Sequence, residues 1–239
     1  MRKKLIFCII IFSSCLHSQN DANIQSLYSN LDNSLGYNNL ELLNGTAYFE
    51  KYRTLNEKHP YLDGREFHDG AVMYDGQYYA GLKLRYDMFS DRLIISIDRS
   101  GNGNRIIQLI PELIESFEIN DKLFVKRSAG DDGHAFYEEL INSGCFKLFK
   151  KEKLSVQDRR DKSSLYYEFE IQRTNYYIDL QDSLIEPTLS NLINHFPQSE
   201  NTIENLFKDQ RKLRRSNYPA FLKNLMQLME VSVCKRLKK

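Results

Sequence analysis

Between Ala71 and Leu180 apolar and polar residues alternate with a period of two, and short turn signals interrupt the alternation. Successive side chains of a strand point to opposite faces, so this period predicts half-buried β-strands. Leu82, Leu84 and Tyr86 alternate with Gly81, Lys83 and Arg85; Leu93, Ile95 and Ile97 alternate with Arg92, Ile94, Ser96 and Asp98; Tyr167, Phe169 and Ile171 alternate with Tyr166, Glu168 and Glu170. Asp75-Gly76 separates Val72–Tyr74 from Gln77–Tyr79. A two-residue Asp-Gly loop suits a type I′ hairpin, because both central residues must take φ > 0. Asn120-Asp121 marks a second hairpin, and Gly101–Asn104 is a turn leading into Arg105–Ile110. With Phe146–Lys150 and Tyr176–Leu180 the count reaches about nine strands. Strands joined by tight turns predict an antiparallel meander, a sandwich or a partly closed barrel.

After Glu186 the period becomes helical. Leu189, Leu192, Ile193 and Phe196 form one stripe behind Pro187, which suits a first helical position. Ser199 is placed to cap a second helix carrying Ile203, Leu206 and Phe207. Asn217 and Pro219 open a last helix with Phe221, Leu222, Leu225, Leu228, Met229 and Val233 on its stripe. Near the other end, Ile24, Leu27, Tyr28 and Leu31 predict a short amphipathic helix. Strands first and helices last give an α+β fold, with the helices packed on the sheet. Residues 19–239 read as a single α+β domain: a helix and loops over 19–70, the antiparallel region over 71–182, and helices over 187–239.

Residues 1–18 have a different character. Arg2, Lys3 and Lys4 precede the apolar run Leu5–Phe12, and small or polar residues follow. That is the layout of an export signal, and the run is far shorter than the ~20 residues that span a bilayer. No transmembrane span is expected. Two processing routes stay open. Phe12-Ser13-Ser14-Cys15 resembles a lipobox, which would make Cys15 the acylated first residue of an outer-membrane lipoprotein. Cleavage after Ser18 would instead release a soluble periplasmic or secreted protein.

Removing the leader takes the formal charge from +1 to −2 and leaves two cysteines, Cys145 and Cys234. In an oxidising compartment these are a candidate disulfide, and two buried thiols are the competing reading. Residues 199–239 carry +6 against −8 for the rest of the mature chain. Such a basic end is a candidate contact for an anionic membrane or an acidic partner; a solvated helix face opposite an acidic sheet is the plainer reading. Export removes nucleic acid from consideration. A hydrophobic content of 41% with 12% aromatics belongs to a folded chain.

Five segments carry a resemblance: Leu43–Tyr48, His59-Pro60-Tyr61, Gly70–Tyr79, Leu84–Asp87 with Asp91–Ile94, and Phe136–Leu140. In this order, across most of the mature chain, they resemble a family of exported, β-rich proteins of Bacteroidota, of flavobacterial type. The resemblance implies an envelope compartment and a β-rich fold, and supplies no catalytic residues.

Chemistry-bearing motifs are sparse. His59, His68 and His134 with Asp63, Asp69, Asp131 and Asp132 show no metal-ligand spacing, and no metal or cofactor is expected. His195 suits the end of a helix, where a cation offsets the dipole. Gly101-Asn-Gly-Asn-Arg-Ile106 lacks the third glycine of a dinucleotide loop, and Gly130–Gly133 lacks the spacing of a calcium loop. No nucleophile elbow occurs. Tyr74, Tyr78, Tyr79 and Tyr86 cluster on one hairpin and its neighbour, and are the candidate ligand-binding residues; cross-strand aromatic pairing is the competing reading. The sequence therefore predicts a non-enzymatic envelope module that binds a protein or another surface component. The alternative is a carrier holding an apolar ligand such as a lipid in a curved sheet.

Overall fold

Asp75 and Gly76 hold φ of 49° and 75°, and Asn120 and Asp121 hold 50° and 60°. Each pair turns the chain back on itself, closing Tyr74 onto Gln77 and Ile119 onto Lys122. Both hairpins follow the sequence expectation, since Asp and Asn tolerate the left-handed region better than other residues with a Cβ. The computed structural model describes residues 41–98, 103–128, 134–143, 146–161, 164–180 and 183–231. The leader, the helix expected near residues 24–31, and Cys15, Cys145 and Cys234 lie outside the described residues.

The described strands are β1 (Thr46–Ala47), β2 (His68–Tyr74), β3 (Gln77–Asp87), β4 (Arg92–Asp98), β5 (Asn104–Gln108), β6 (Ile114–Ile119), β7 (Lys122–Ser128), β8 (His134–Asn142), β9 (Lys147–Asp161), β10 (Ser164–Leu180) and β11 (Ser183–Ile185). They form one antiparallel sheet in the order β1-β5-β4-β3-β2-β6-β7-β8-β9-β10-β11. Two meanders, β2–β5 and β6–β11, meet where β2 pairs with β6. The crossing is close: a Cβ on Gly70 would lie 2.2 Å from the Glu118 carbonyl oxygen. Only glycine fits that contact, and the register of β2 on β3 shifts immediately after it. β4 and β5 pair antiparallel, Asp98 opposite Asn104, so the glycine-rich link between them joins two strands and not a strand to a helix.

The described helices that follow are α1 (Leu189–His195), α2 (Glu200–Asp209), α3 (Arg211–Ser216) and α4 (Tyr218–Met229). The fold is α+β: an open antiparallel sheet with C-terminal helices. The Asn217 side chain caps α4 by accepting from the Ala220 N–H at 3.1 Å, as its position predicts. Two helix starts differ from expectation. The cap of α1 is Thr188, which accepts from the Asn191 N–H at 3.2 Å, so Pro187 lies outside the helix. Ser199 precedes α2 without a side-chain cap bond, because it is buried in a 3-10 turn that leads straight into the helix. Among the described residues no helix is long and apolar enough to cross a membrane.

Two cores hold the fold. The first lies within the curl of β2–β8 and contains Leu84, Tyr86, Leu93, Ile95, Ile107, Phe117, Phe124 and Phe136. The second joins Phe146, Leu148 and Ile178 of the β8–β10 region to Leu192, Ile203, Phe207, Phe221, Leu225 and Met229 of the helices. Each large apolar side chain sunk there contributes about 1.5–3 kcal/mol relative to exposure, which is what fixes the short helices on the sheet.

The curl is bridged by side chains and by a strap, residues 48–62. After β1 the Arg53 and Lys58 carbonyls accept from the Tyr167 and Phe169 N–H groups on the outer edge of β10, at 2.8 and 3.0 Å. Lys58 adds ionic contacts to Glu170 at 2.6 Å and Glu168 at 3.3 Å. Pro60–Leu62 then pairs with the end of β3, Leu62 N–H to Tyr86 O at 3.0 Å and Met88 N–H to Pro60 O at 2.9 Å. The strap thus covers part of an edge that would otherwise offer unpaired backbone groups. Beside it, Lys151 of β9 donates to Asp91 at 2.5 Å, to the Phe136 carbonyl at 2.8 Å and to the Tyr86 hydroxyl at 3.2 Å. Tyr86 donates to Asp91 as well, and Asp91 accepts from the Phe136 N–H at 3.2 Å. This latch fastens the β3–β4 turn to β8 and β9.

Candidate binding cleft

A cleft with a volume of about 500 Å³ lies between the strap and the β3–β4 turn. β1 and the strap supply Thr46–Phe49, Lys51, Tyr52, Pro60 and Tyr61; the end of β3, the β3–β4 turn and the start of β4 supply Asp87, Ser90 and Arg92; β5 supplies Gln108. That size is within the ordinary range for small-ligand sites.

Its aromatic walls are held in place. The Tyr48 and Tyr61 hydroxyls are 2.9 Å apart, and Tyr61 donates to Glu50 at 3.1 Å. The Arg85 guanidinium lies 4.2 Å from the Tyr61 ring centre, 4.5 Å from Phe67 and 5.6 Å from Tyr48, and donates to the Arg65 carbonyl at 3.0 Å. Such stacking of a guanidinium against rings fixes the strap on β3. Burial pushes the Tyr61 hydroxyl well above the usual tyrosine range, so it remains a neutral donor. Tyr52 meets Phe89, Tyr167 and Phe169 edge-on, with ring centres 5.0–5.8 Å apart. Phe49 is the exception: 83% of it is exposed, the most of any large apolar residue described.

The polar groups divide sharply. Asp87 is buried, and its carboxylate accepts from the Phe89 N–H at 3.0 Å, the Ser90 N–H at 3.1 Å and the Ser90 hydroxyl. Both oxygens therefore serve the turn. Lys51 and Arg92 are exposed and make no ion pair with any described residue; Lys51 sits over Tyr52, 5.1 Å from the ring centre. The cleft presents aromatic side chains, the Asp87 carboxylate engaged by its own turn, and two cations that form no ion pair with a described residue.

His59 anchors the same strap. Its side chain is 7% exposed, and its Nδ1 accepts from the Tyr61 N–H at 3.2 Å, which requires the unprotonated nitrogen. Burial, with Arg65 nearby, pushes its pKa down, and Glu57 at 3.8 Å opposes this only weakly from solvent. A histidine whose folded pKa lies below its unfolded value binds its proton more readily when unfolded. Stability therefore falls as pH drops below the unfolded value of about 6.5, and continues to fall until the folded value is passed. The melting temperature should decline between pH 7.5 and 5.5, and His59→Gln should flatten that decline. An equal slope in the variant would assign the effect to another group.

The tyrosines that the sequence marks as ligand-binding candidates fall elsewhere. Tyr74, Tyr79 and Tyr86 are buried in the first core, so their rings pack the curl and present no recognition surface. Burial and the Asp91 charge raise the Tyr86 hydroxyl far above the ordinary tyrosine range, leaving it a latch donor. Tyr78 is half-buried and stays apart from that cluster. Across the strands their register partners are Gln77, Met73, Val72 and Leu93, while the Tyr86 ring packs on Phe117, Phe124 and Phe136 from other strands. Among the described residues no three His, Cys, Asp or Glu side chains converge as metal ligands. Asp63 pairs with Lys122 at 2.7 Å and Asp69 with Lys83 at 2.8 Å; His68 begins β2, His134 is exposed at the start of β8, and His195 is exposed in the last turn of α1. Asp131 and Asp132 lie outside the described residues. Within the basic C-terminal region, Lys208, Arg211, Lys212, Arg215 and Lys223 lie exposed on α2–α4 without ion pairs to described residues, while Lys235, Arg236, Lys238 and Lys239 lie outside the described residues. No sequence motif singles out Phe49, Lys51, Tyr52 or Arg92. The one signal is a stretch, Tyr48–Tyr61, rich in aromatics yet without either period, which marks a loop that packs rings for a reason other than strand pairing. No protein-family model, curated protein or solved structure matches this chain.

Proposed function

We propose that this protein is an exported cell-envelope recognition module that binds its partner through the strap cleft without chemical turnover. The observation that carries the proposal is Phe49, an almost fully exposed ring at a cleft whose other aromatics are locked in place. An exposed aromatic beside rigid walls is a binding anchor. Asp87, the carboxylate in the cleft, is occupied by its own turn and is poorly placed to act as a base. The interior of the curl is filled by side chains such as Tyr74, Leu84 and Phe117, which supports an external site over an internal lipid chamber. The leader, with either release after Ser18 or acylation at Cys15, supports the compartment.

The test is co-sedimentation of the purified mature protein with envelopes of the producing cell. Phe49→Ala should weaken retention roughly thirtyfold, the loss of a ~2 kcal/mol anchor, with an unchanged melting temperature. Retention equal to the parent would remove the cleft from consideration.

A further inference from the structure

We infer that the strap cleft takes an acidic polysaccharide, a polymer of carboxylate-bearing pyranose rings. This rests on the cleft being the recognition site and adds the chemical class of its ligand. A pyranose presents a flat C–H face and a rim of hydroxyls. The negative face of an aromatic ring attracts such polarised C–H bonds and shields them from water. Phe49 provides an exposed ring of this kind, and Tyr52, fixed by Phe89, Tyr167 and Phe169, holds the neighbouring wall of the cleft without an ordering cost on binding. Gln108 offers an amide to the rim, and Ser90 Oγ, which donates to Asp87, offers an acceptor. Lys51 and Arg92, two exposed cations without ion pairs to described residues, call for negative charge on the ligand, and a sugar carboxylate matches the planar fork of Arg92.

Other occupants fit less well. An extended peptide would add to a sheet edge, but the edge strand at this cleft, β1, is two residues long. Tyr48 N–H already bonds inward to the Ile106 carbonyl, so little backbone is left for strand addition. A lipid tail would need a dry apolar chamber, and here it would lie against Lys51, Arg92 and Ser90.

Affinity electrophoresis of the mature protein tests this with polygalacturonate, alginate and hyaluronate in the gel, and with dextran and poly-glutamate as comparators. At least one uronate polymer should retard the protein, while dextran and poly-glutamate should not. Phe49→Ala should weaken the retardation about tenfold or more, and Arg92→Ala with Lys51→Ala should abolish it at moderate salt. These three side chains are exposed, and matching melting temperatures establish that the variants are folded. Equal retardation by poly-glutamate with no effect of Phe49→Ala would overturn the inference in favour of plain ion exchange. Equal retardation by dextran would overturn the acidic class. No retardation by any uronate overturns the polysaccharide altogether, whereas loss of envelope retention in Phe49→Ala would still leave the cleft as the recognition site.

Discussion

Phe117→Ala should lower the unfolding free energy by about 3–5 kcal/mol, the range for deleting a buried aromatic ring. Phe117 is 1% exposed at the centre of the first core. Its ring stacks on Phe124 with centres 4.9 Å apart and an interplanar angle of 10°, lies 5.0 Å from Tyr86, and meets Phe136 edge-on at 5.2 Å. These rings come from β6, β7, β3 and β8, so one substitution opens a void shared by strands far apart in the sheet. Strand backbones paired on both sides cannot collapse into that void, which keeps the cost high. Phe117→Leu retains most of the volume and should cost about 1–1.5 kcal/mol. Urea unfolding read from both tyrosine fluorescence and far-ultraviolet circular dichroism checks both values. A loss below about 1 kcal/mol for the alanine variant would mean that the curl repacks freely, contrary to a rigid core.

The parts of this fold that local chemistry dictates were legible in the sequence. Asp75-Gly76 and Asn120-Asp121 turn as their φ preferences require, and the alternation in β3 and β4 places Leu84, Tyr86, Leu93 and Ile95 inside the curl. Where the alternation stops tracking burial, it misleads. β9 continues to Asp161 through a polar stretch with exposed side chains, because its backbone pairs with β10 and needs no apolar face there. β10 runs unbroken from Ser164 to Leu180, and the apparent gap between Ile171 and Tyr176 contains a bulge, not a turn. The alternation puts Ile94 on a polar face, yet it is buried, since β4 is covered on both sides at that point. The candidate site was harder still. Tyrosine composition pointed to the β2–β3 hairpin, where tertiary packing buries the rings. The strap aromatics acquire their arrangement from β3 and β10, elements distant in sequence, and no local pattern encodes that contact.

Lys151→Met should lower the unfolding free energy by about 2–3 kcal/mol. Methionine keeps the length of the stem and removes the ammonium, so packing changes little while the charge is lost. The Asp91 carboxylate then retains the Tyr86 hydroxyl and the Phe136 N–H but has no cation, and its side chain is only 25% exposed. Breaking a fully buried pair costs about 3–5 kcal/mol, and the partial access of water to Asp91 and Lys151 reduces that figure. The partner substitution discriminates between loss of a contact and stranding of a charge. Asp91 holds a φ of 57°, a conformation that asparagine also tolerates, so Asp91→Asn keeps the turn while removing the charge. If the penalty of Lys151→Met is mainly an uncompensated carboxylate, the double variant will be more stable than the sum of the two single losses predicts, by about 1 kcal/mol or more. Strict additivity would show instead that Lys151 acts through its separate bonds to the Phe136 carbonyl and the Tyr86 hydroxyl. Hydrogen exchange supplies an independent readout: opening the latch should speed exchange at the Phe136 amide, which bonds to Asp91 across the β3–β4 turn, before it affects the helices of the second core.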